Sequence, residues 1–188
     1  MKLYRPLMTL ALLACTALSA SAQQKLVAAQ SEIAFTSKQM GVPVDGKFKK
    51  FDAQVAFDPK KPEVAKIAFT VDLASASLGV AETDAELLKP DWFNTKAFPQ
   101  ATFESFSVKS TGPGKFEVAG KLVIKGASQN VVAPVTLAQA GANTTASGAF
   151  TIKRLDFKIG EGDWKDISLV ANDVQVKFKL ALTGVGTL

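Results

Sequence analysis

Arg154 is the side chain in this sequence best suited to bind a charged group. It is the one arginine after Arg5, whereas lysine is common. A guanidinium group presents a planar fork of N–H donors that matches a phosphate or a carboxylate. Two interpretations therefore stay open. Arg154 either binds the head group of a ligand or forms a structural ion pair with Asp156 or Asp84.

The acidic residues do not have the spacing of a metal site. They cluster at residues 82–86 and 161–166, but neither cluster has the regular ligand spacing of a calcium loop. Gly160 and Gly162 form a Gly-x-Gly pattern without the Lys-Ser/Thr pair or the helix that a phosphate loop requires, so they predict a turn. We therefore predict neither a metal site nor a cofactor.

Several classes of enzyme are excluded by the residues that the chain lacks. It contains no histidine, and its one cysteine and one tyrosine are Cys15 and Tyr4, both in a segment that we predict to be removed. Without a thiol or an imidazole, the rest of the chain can form no cysteine nucleophile, Ser-His-Asp triad or Cys/His zinc site. We predict a protein that binds rather than catalyses.

Residues 1–22 have the pattern of a secretory signal peptide. Lys2 and Arg5 precede an apolar run at residues 7–18, and the small residues 20–22 form a cleavage site. The apolar run is too short to span a bilayer. Loss of Lys2 and Arg5 with this segment lowers the net charge from +5 to +3.

Cleavage after residue 22 leaves residues 23–188, which we predict to be a single domain. A domain of this size buries enough surface to be stable without disulfides. An alternative to cleavage there is a lipoprotein signal, in which Cys15 is acylated and becomes the new N-terminus.

The remaining sequence alternates apolar and polar residues with a period of two, which is typical of strands with one buried face. The alternation is clearest in residues 51–58, 64–72, 116–125 and 173–183. Weaker alternation marks six further segments, at residues 25–29, 31–39, 42–49, 101–109, 131–138 and 144–152.

A single short helix is predicted at about residues 83–89. Thr83 is its expected N-cap, and Lys89 and Pro90 end it. Short strands that each have one apolar face must close on themselves to bury it. We predict an all-β fold, a single antiparallel barrel of about eight strands, whose interior is either filled by side chains or open to one small ligand.

Six short motifs occur in order over nearly the whole of this predicted domain. They are Ser31–Phe35, Val44–Phe48, Leu87–Asn94, Phe98–Phe103, Gly120–Gly126 and Arg154–Phe157. Together they make the sequence from about residue 24 to 182 resemble the YceI-like polyisoprenoid-binding proteins. The resemblance implies a lipocalin-like barrel, export to the periplasm of a Gram-negative bacterium, and a long isoprenoid lipid in the lumen.

The sequence departs from this family in two places. Many members have an Arg-Asp pair and a His near the start of the helical segment, whereas residues 82–86 keep only Asp84. Many also have Gly where this chain has Lys158. If those positions hold a phosphate in other members, the departures favour a less charged head group here, such as a quinone.

We predict that eight apolar side chains face the lumen and bind the lipid tail. They are Phe57, Ile67, Phe69, Phe103, Phe116, Leu122, Phe150 and Phe178. Trp92 and Phe93, which follow the helix, are expected to plug one end of the barrel or to gate its mouth. Arg154, Asp84 and Trp92 are thus the candidates for a head-group or mouth site.

The sequence as a whole predicts a periplasmic, non-enzymatic carrier of an isoprenoid quinone or a polyprenyl phosphate. Two alternatives are an accessory barrel with a filled core that serves a redox partner, and a small outer-membrane barrel. Lysines spread along wet faces, as at Lys121 and Lys125, argue against nucleic-acid binding. A transient contact with the inner membrane or with a cytochrome b561, and a homodimer, stay open.

Overall fold

The computed structural model of the protein describes residues 24–188. The predicted signal peptide and Cys15 lie outside the described residues. Eleven strands and one α-helix follow each other along the chain: β1 (Lys25–Leu26), β2 (Glu32–Gln39), β3 (Val42–Phe48), β4 (Phe51–Ala56), β5 (Lys66–Asp72), β6 (Ala76–Ser77), α1 (Ala81–Leu87), β7 (Gln100–Gly112), β8 (Lys115–Ile124), β9 (Ala127–Ala140), β10 (Asn143–Lys153) and β11 (Asp173–Thr183).

All the strands belong to one curled antiparallel sheet with the order β4-β5-β7-β8-β9-β10-β11-β2-β3-β6, and β1 pairs with β11. Within residues 24–188 no strand ladder joins β4 to β3, so the hydrogen-bonded path has two ends. The predicted all-β, antiparallel, lipocalin-like fold with one helix is confirmed. The sheet forms a curled half-barrel.

The predicted count of eight strands is wrong, because the described part of the chain forms eleven. Ten of these coincide with the ten alternating segments of the sequence. The sheet keeps two ends and includes two strands of only two residues. One of those, β6, is too short to show any alternation.

The alternation decides which side chains face inward. In β11 the apolar residues Val174, Val176 and Phe178 are less exposed than their neighbours, and Lys177 and Lys179 are exposed. Successive side chains of a strand point to opposite faces, so one face of the curled sheet is apolar and the other is charged.

The helix begins earlier than predicted, at Ala81, and Thr83 is not its N-cap. The Thr83 hydroxyl donates to the Val80 carbonyl at 2.8 Å, while Val80 occupies the capping position. Asp84 anchors the helix instead, because its carboxylate accepts hydrogen bonds from the Ser77 hydroxyl at 2.7 Å and the Leu78 amide at 2.6 Å.

Two irregular segments, residues 87–98 and 154–172, close one end of the half-barrel, and together we call them the end cap. Their buried residues pack with the ends of several strands into one apolar cluster, which includes Leu87, Phe93 and Phe157. The two segments are joined by the Asp91 carbonyl, which accepts the amides of Gly160 and Glu161 at 2.8 Å. No helix among the described residues is long and apolar enough to cross a membrane.

Candidate functional site

An apolar cavity of about 250 Å³ lies inside the curl of the sheet. Strands β2 to β5 and β7 to β11, together with the end cap, contribute its walls. Among the lining residues, Ser37 and Arg154 are the two with strongly polar side chains. The structure places all eight predicted lumen residues against this cavity: Phe57, Ile67, Phe69, Phe103, Phe116, Leu122, Phe150 and Phe178. Their contact with a lipid stays a prediction.

Aromatic rings form pairs around the cavity. Phe57 and Phe116 meet edge to face with ring centroids 5.0 Å apart. Phe69 and Phe103 face each other across β5 and β7 with centroids 6.4 Å apart. Such tilted and edge-to-face arrangements are the favourable ones for aromatic rings, so these pairs hold the lining in place without filling the cavity.

Three further rings line the cavity that were not among the eight predicted lumen residues. The centroid of the Phe48 ring lies 5.4 Å from that of Phe35 and 6.0 Å from that of Phe93. Phe35 and Phe48 follow the same two-residue period as their strands, so the alternation of β2 and β3 could have identified them. Phe93 lies beside Trp92 in the end cap and lines the cavity from there.

Arg154 is buried, with 2% of its surface exposed, and binds backbone rather than a carboxylate. Its Nε donates to the Ala171 carbonyl at 3.1 Å, and Nη1 donates to Ile159 at 2.8 Å and Gly160 at 3.1 Å. Nη2 donates to the carbonyls of Trp164 at 2.6 Å and Val170 at 2.7 Å.

These contacts favour a structural role for Arg154, with backbone carbonyls rather than a carboxylate as its partners. A guanidinium group has five N–H donors, and all five are used by carbonyls of the end cap. Neither Asp156 nor Asp84 forms an ion pair with it among the described residues, so the predicted ion pair is wrong. Burial lowers the pKa of Arg154 below its usual value. Arg154 thus cross-links the loop that follows β10.

Lys125 is a second buried cation, and the prediction that it lies on a wet face is wrong. It follows β8 and is 6% exposed. Its Nζ donates to the carbonyls of Pro90 and Lys158, each at 2.6 Å, and to the Glu161 carboxylate at 2.9 Å. The hydrogen bond from Lys125 lowers the pKa of Glu161. Lys125 therefore ties both segments of the end cap to the β8–β9 turn.

The other two candidate head-group residues lie in different surroundings. Asp84 does not line the cavity, and its hydrogen bonds with Ser77 and Leu78 lower its pKa. Trp92 does line the cavity from the end cap, with its ring centroid 5.5 Å from that of Trp164. Its buried Nε1 has no hydrogen-bond partner among the described residues. The three candidates therefore do not converge on one polar site.

The backbone conformation at Lys158 is one that glycine adopts easily. Its φ of 57° places it in the left-handed region, where it ends the short helical turn Arg154–Phe157. Glycine adopts this conformation without steric cost, whereas other residues do so less readily. The presence of lysine rather than glycine at residue 158 therefore affects the backbone of the end cap. The Lys158 carbonyl is one of the acceptors of Lys125.

The described part of the chain contains no group of three or more His, Cys, Asp or Glu side chains that could hold a metal ion. A curled antiparallel sheet around an apolar cavity is the architecture of lipocalin-like proteins. Residues 24–182 match the YceI-like domain, and the chain belongs to this family.

Three proteins illustrate the relationship. BcnA of Burkholderia cenocepacia superposes with a TM-score of 0.81 and 46% sequence identity, covering 83% of this chain and 98% of BcnA. A polyisoprenoid binding domain from Saccharophagus degradans, implicated in plant cell wall breakdown, shares the fold with a TM-score of 0.69 and 16% identity, covering 86% of this chain and 98% of that domain.

Among the curated relatives, a UPF0312 protein of Ectopseudomonas mendocina is 35% identical over 120 residues. The alignment covers 61% of this chain and 63% of that protein. The chain thus matches less than two thirds of the length of this relative.

Proposed function

We propose that this protein is a periplasmic, non-enzymatic carrier that holds the tail of a long isoprenoid lipid in its cavity. The observation that carries the proposal is the cavity itself, whose walls are almost entirely hydrocarbon and aromatic. The membership of the YceI-like family and the shared fold of a polyisoprenoid binding domain support this choice of ligand class. The ligand would be an isoprenoid quinone or a polyprenyl phosphate.

The apolar lining supplies the driving force for binding. Burial of one CH₂ group contributes about 0.8 kcal/mol, so one isoprene unit contributes up to roughly 3 to 4 kcal/mol before the cost of ordering the tail. The cavity volume of about 250 Å³ is slightly below the range common for ligand pockets, roughly 300–1,000 Å³. A tail of many units therefore requires the phenylalanine rings to move apart.

The periplasmic location is part of the proposal and rests on the signal-peptide pattern of residues 1–22. Because such a lipid resides in a bilayer, the carrier would contact the inner membrane transiently when it loads or unloads. A cytochrome b561 partner and a homodimer stay predictions.

The polarity of the sheet favours this proposal over the two alternatives. An outer-membrane barrel needs an apolar outward face, whereas β11 presents Lys177 and Lys179 outward. A barrel with a filled core would leave no space between its rings, whereas the rings here surround a cavity.

Native mass spectrometry of protein purified from the periplasm, without detergent, tests the proposal. We expect the wild-type protein to carry a mass equal to that of an isoprenoid lipid. Phe178→Asp places a charge against the cavity and should abolish the bound mass, because an unpaired carboxylate is incompatible with an apolar tail. Lys177→Asp, the neighbouring outward position, is the control and should keep it. Wild-type protein that never carries a lipid would refute the proposal.

A further inference from the structure

A second pocket lies where the chain passes from β3 to β4. It is lined by residues of β2 and β3, which lie near one end of the path, and by the start of β4, which forms the other end. We call this the seam pocket, and its lining residues are Ala28, Ser31, Glu32, Lys47, Phe48, Lys49, Lys50 and Phe51.

The seam pocket is rich in cations. Lys47, Lys49 and Lys50 are all exposed, and Glu32 is the one acidic residue in its lining. Lys49 lies 4.0 Å from the Asp84 carboxylate, a distance at the limit of an ion pair. None of the ion pairs found within residues 24–188 involves Lys47 or Lys50. Two ammonium groups are thus available to an anion.

The seam pocket adjoins the lipid cavity through one ring. Phe48 lines both the cavity and the seam pocket. Phe51, on the other side of the seam, packs against the cluster of buried residues that includes Leu180 and Leu182. No strand ladder joins β3 to β4 within the described residues, and β6 pairs with the end of β3 at Lys47 and Phe48. Phe48 is therefore the residue at which the cavity and the seam pocket meet.

Within residues 24–188, the buried cations at the cavity and the end cap have no donor left for an anion. The N–H donors of Arg154 are used by five carbonyls, and those of Lys125 by two carbonyls and Glu161. A phosphate inside the cavity would lose its hydration without gaining a free cation, which is strongly unfavourable. A charged head group therefore has to lie outside the apolar cavity.

We propose that the seam pocket binds the phosphate or pyrophosphate head of an isoprenoid lipid whose tail lies in the cavity. This inference rests on the proposed function and selects the charged member of its two ligand classes. Lys47, Lys49 and Lys50 are the residues that recognise the head. Phe48 lies where head and tail meet.

Farnesyl pyrophosphate, farnesol and inorganic pyrophosphate are the probes that test this inference. The first two have the same tail and differ in charge, and the third is the head alone. Binding to delipidated protein is followed by isothermal titration calorimetry. We expect wild-type protein to bind farnesyl pyrophosphate at least about tenfold more tightly than farnesol, because charge-assisted hydrogen bonds add to the burial of the tail. Inorganic pyrophosphate should bind more weakly than farnesyl pyrophosphate.

The triple variant Lys47→Gln, Lys49→Gln, Lys50→Gln should lose this preference and bind farnesol as wild type does, within about twofold, which also shows that it is folded. The control removes three exposed lysines elsewhere, through Lys109→Gln, Lys115→Gln and Lys121→Gln, and should keep the preference.

Three results would overturn the inference while leaving the proposed function intact. The first is that wild type binds farnesyl pyrophosphate and farnesol with equal affinity. The second is that the triple variant of Lys47, Lys49 and Lys50 keeps the preference for farnesyl pyrophosphate. The third is that inorganic pyrophosphate binds as tightly as farnesyl pyrophosphate. Failure of both lipids to bind would refute the proposed function and the inference together.

Discussion

The ring of Phe35 in β2 lies directly over Gly46, its paired residue in β3, so that a Cβ atom at residue 46 would collide with the ring. The other nearest atom is Cδ2 of Leu78, at 2.8 Å from that Cβ position. Because Phe35 lines the cavity, the missing side chain at Gly46 gives this ring room to lie against the wall. Glycine at residue 46 therefore leaves the Phe35 ring in a position where it takes up less of the cavity.

Gly46→Ala should reduce lipid binding without unfolding the protein. The atoms that the new methyl group meets are ends of side chains, so the Phe35 ring can move, and its way out leads into the cavity. Overpacking of this kind costs about 1 to 3 kcal/mol. We expect the affinity for farnesol to fall at least about fivefold and the unfolding free energy to fall by an amount in that range. Gly186→Ala is the control, since its nearest contact is 3.7 Å away. Unchanged farnesol affinity in Gly46→Ala would contradict this role.

Arg154→Lys should destabilise the protein even though the charge is kept. A lysine has three donors on a flexible stem and cannot serve five carbonyls in different directions. Each buried acceptor that is left unpaired costs about 1 to 3 kcal/mol. We expect the unfolding free energy in urea to fall by at least about 2 kcal/mol. Lys153→Arg, at the exposed neighbour, should change it by less than about 0.5 kcal/mol. Equal stability of Arg154→Lys and wild type would contradict the cross-linking role.

Glu161 should stabilise the protein at neutral pH, and this contribution should be lost in acidic solution. Lys125 lowers the pKa of this carboxyl in the folded state below its usual value of 4.5. Its contribution is therefore present above the unfolded-state pKa and is lost as the pH falls through the folded-state pKa. We expect Glu161→Gln to be less stable than wild type at pH 7, with a difference that shrinks as the pH falls toward 3. Urea unfolding at several pH values measures it, and a difference independent of pH would contradict the ion pair.

Tryptophan fluorescence should report ligand entry through Trp92. The chain has two tryptophans, and Trp92 lines the cavity while Trp164 does not. We expect farnesol to change the emission of wild type and of Trp164→Phe, because a lipid tail replaces the surroundings of the Trp92 ring. Trp92→Phe should lose most of this change while still binding farnesol by calorimetry. A response that depends on Trp164 alone would place the ligand elsewhere.

Sequence periodicity predicted the cavity walls well because a strand has a strict two-residue repeat. Phe57, Phe69 and Phe178 lie on apolar faces of alternating segments, and all three line the cavity. The same repeat could have identified Phe35 and Phe48. The strand count was wrong because alternation locates strands but does not show whether a sheet closes.

The end cap was less predictable, because irregular segments have no repeat. The partners of Arg154 are backbone carbonyls, which every residue carries, so no side-chain pattern indicated them. Lys125 follows an alternating strand with a lysine-rich outer face, and only its left-handed backbone, with a φ of 49°, turns it toward the end cap. The sequence pattern therefore predicts solvent around Lys125 and a carboxylate or a ligand head group beside Arg154. In the folded protein Lys125 is buried and Arg154 is bonded to backbone carbonyls.

A crystal structure of the protein loaded with an isoprenoid lipid tests the central claim most directly. We predict continuous electron density for the tail inside the curled sheet, in contact with Phe69, Phe103 and Phe178. Rings that close the space between them, with the lipid bound only on the outer surface, would contradict the account.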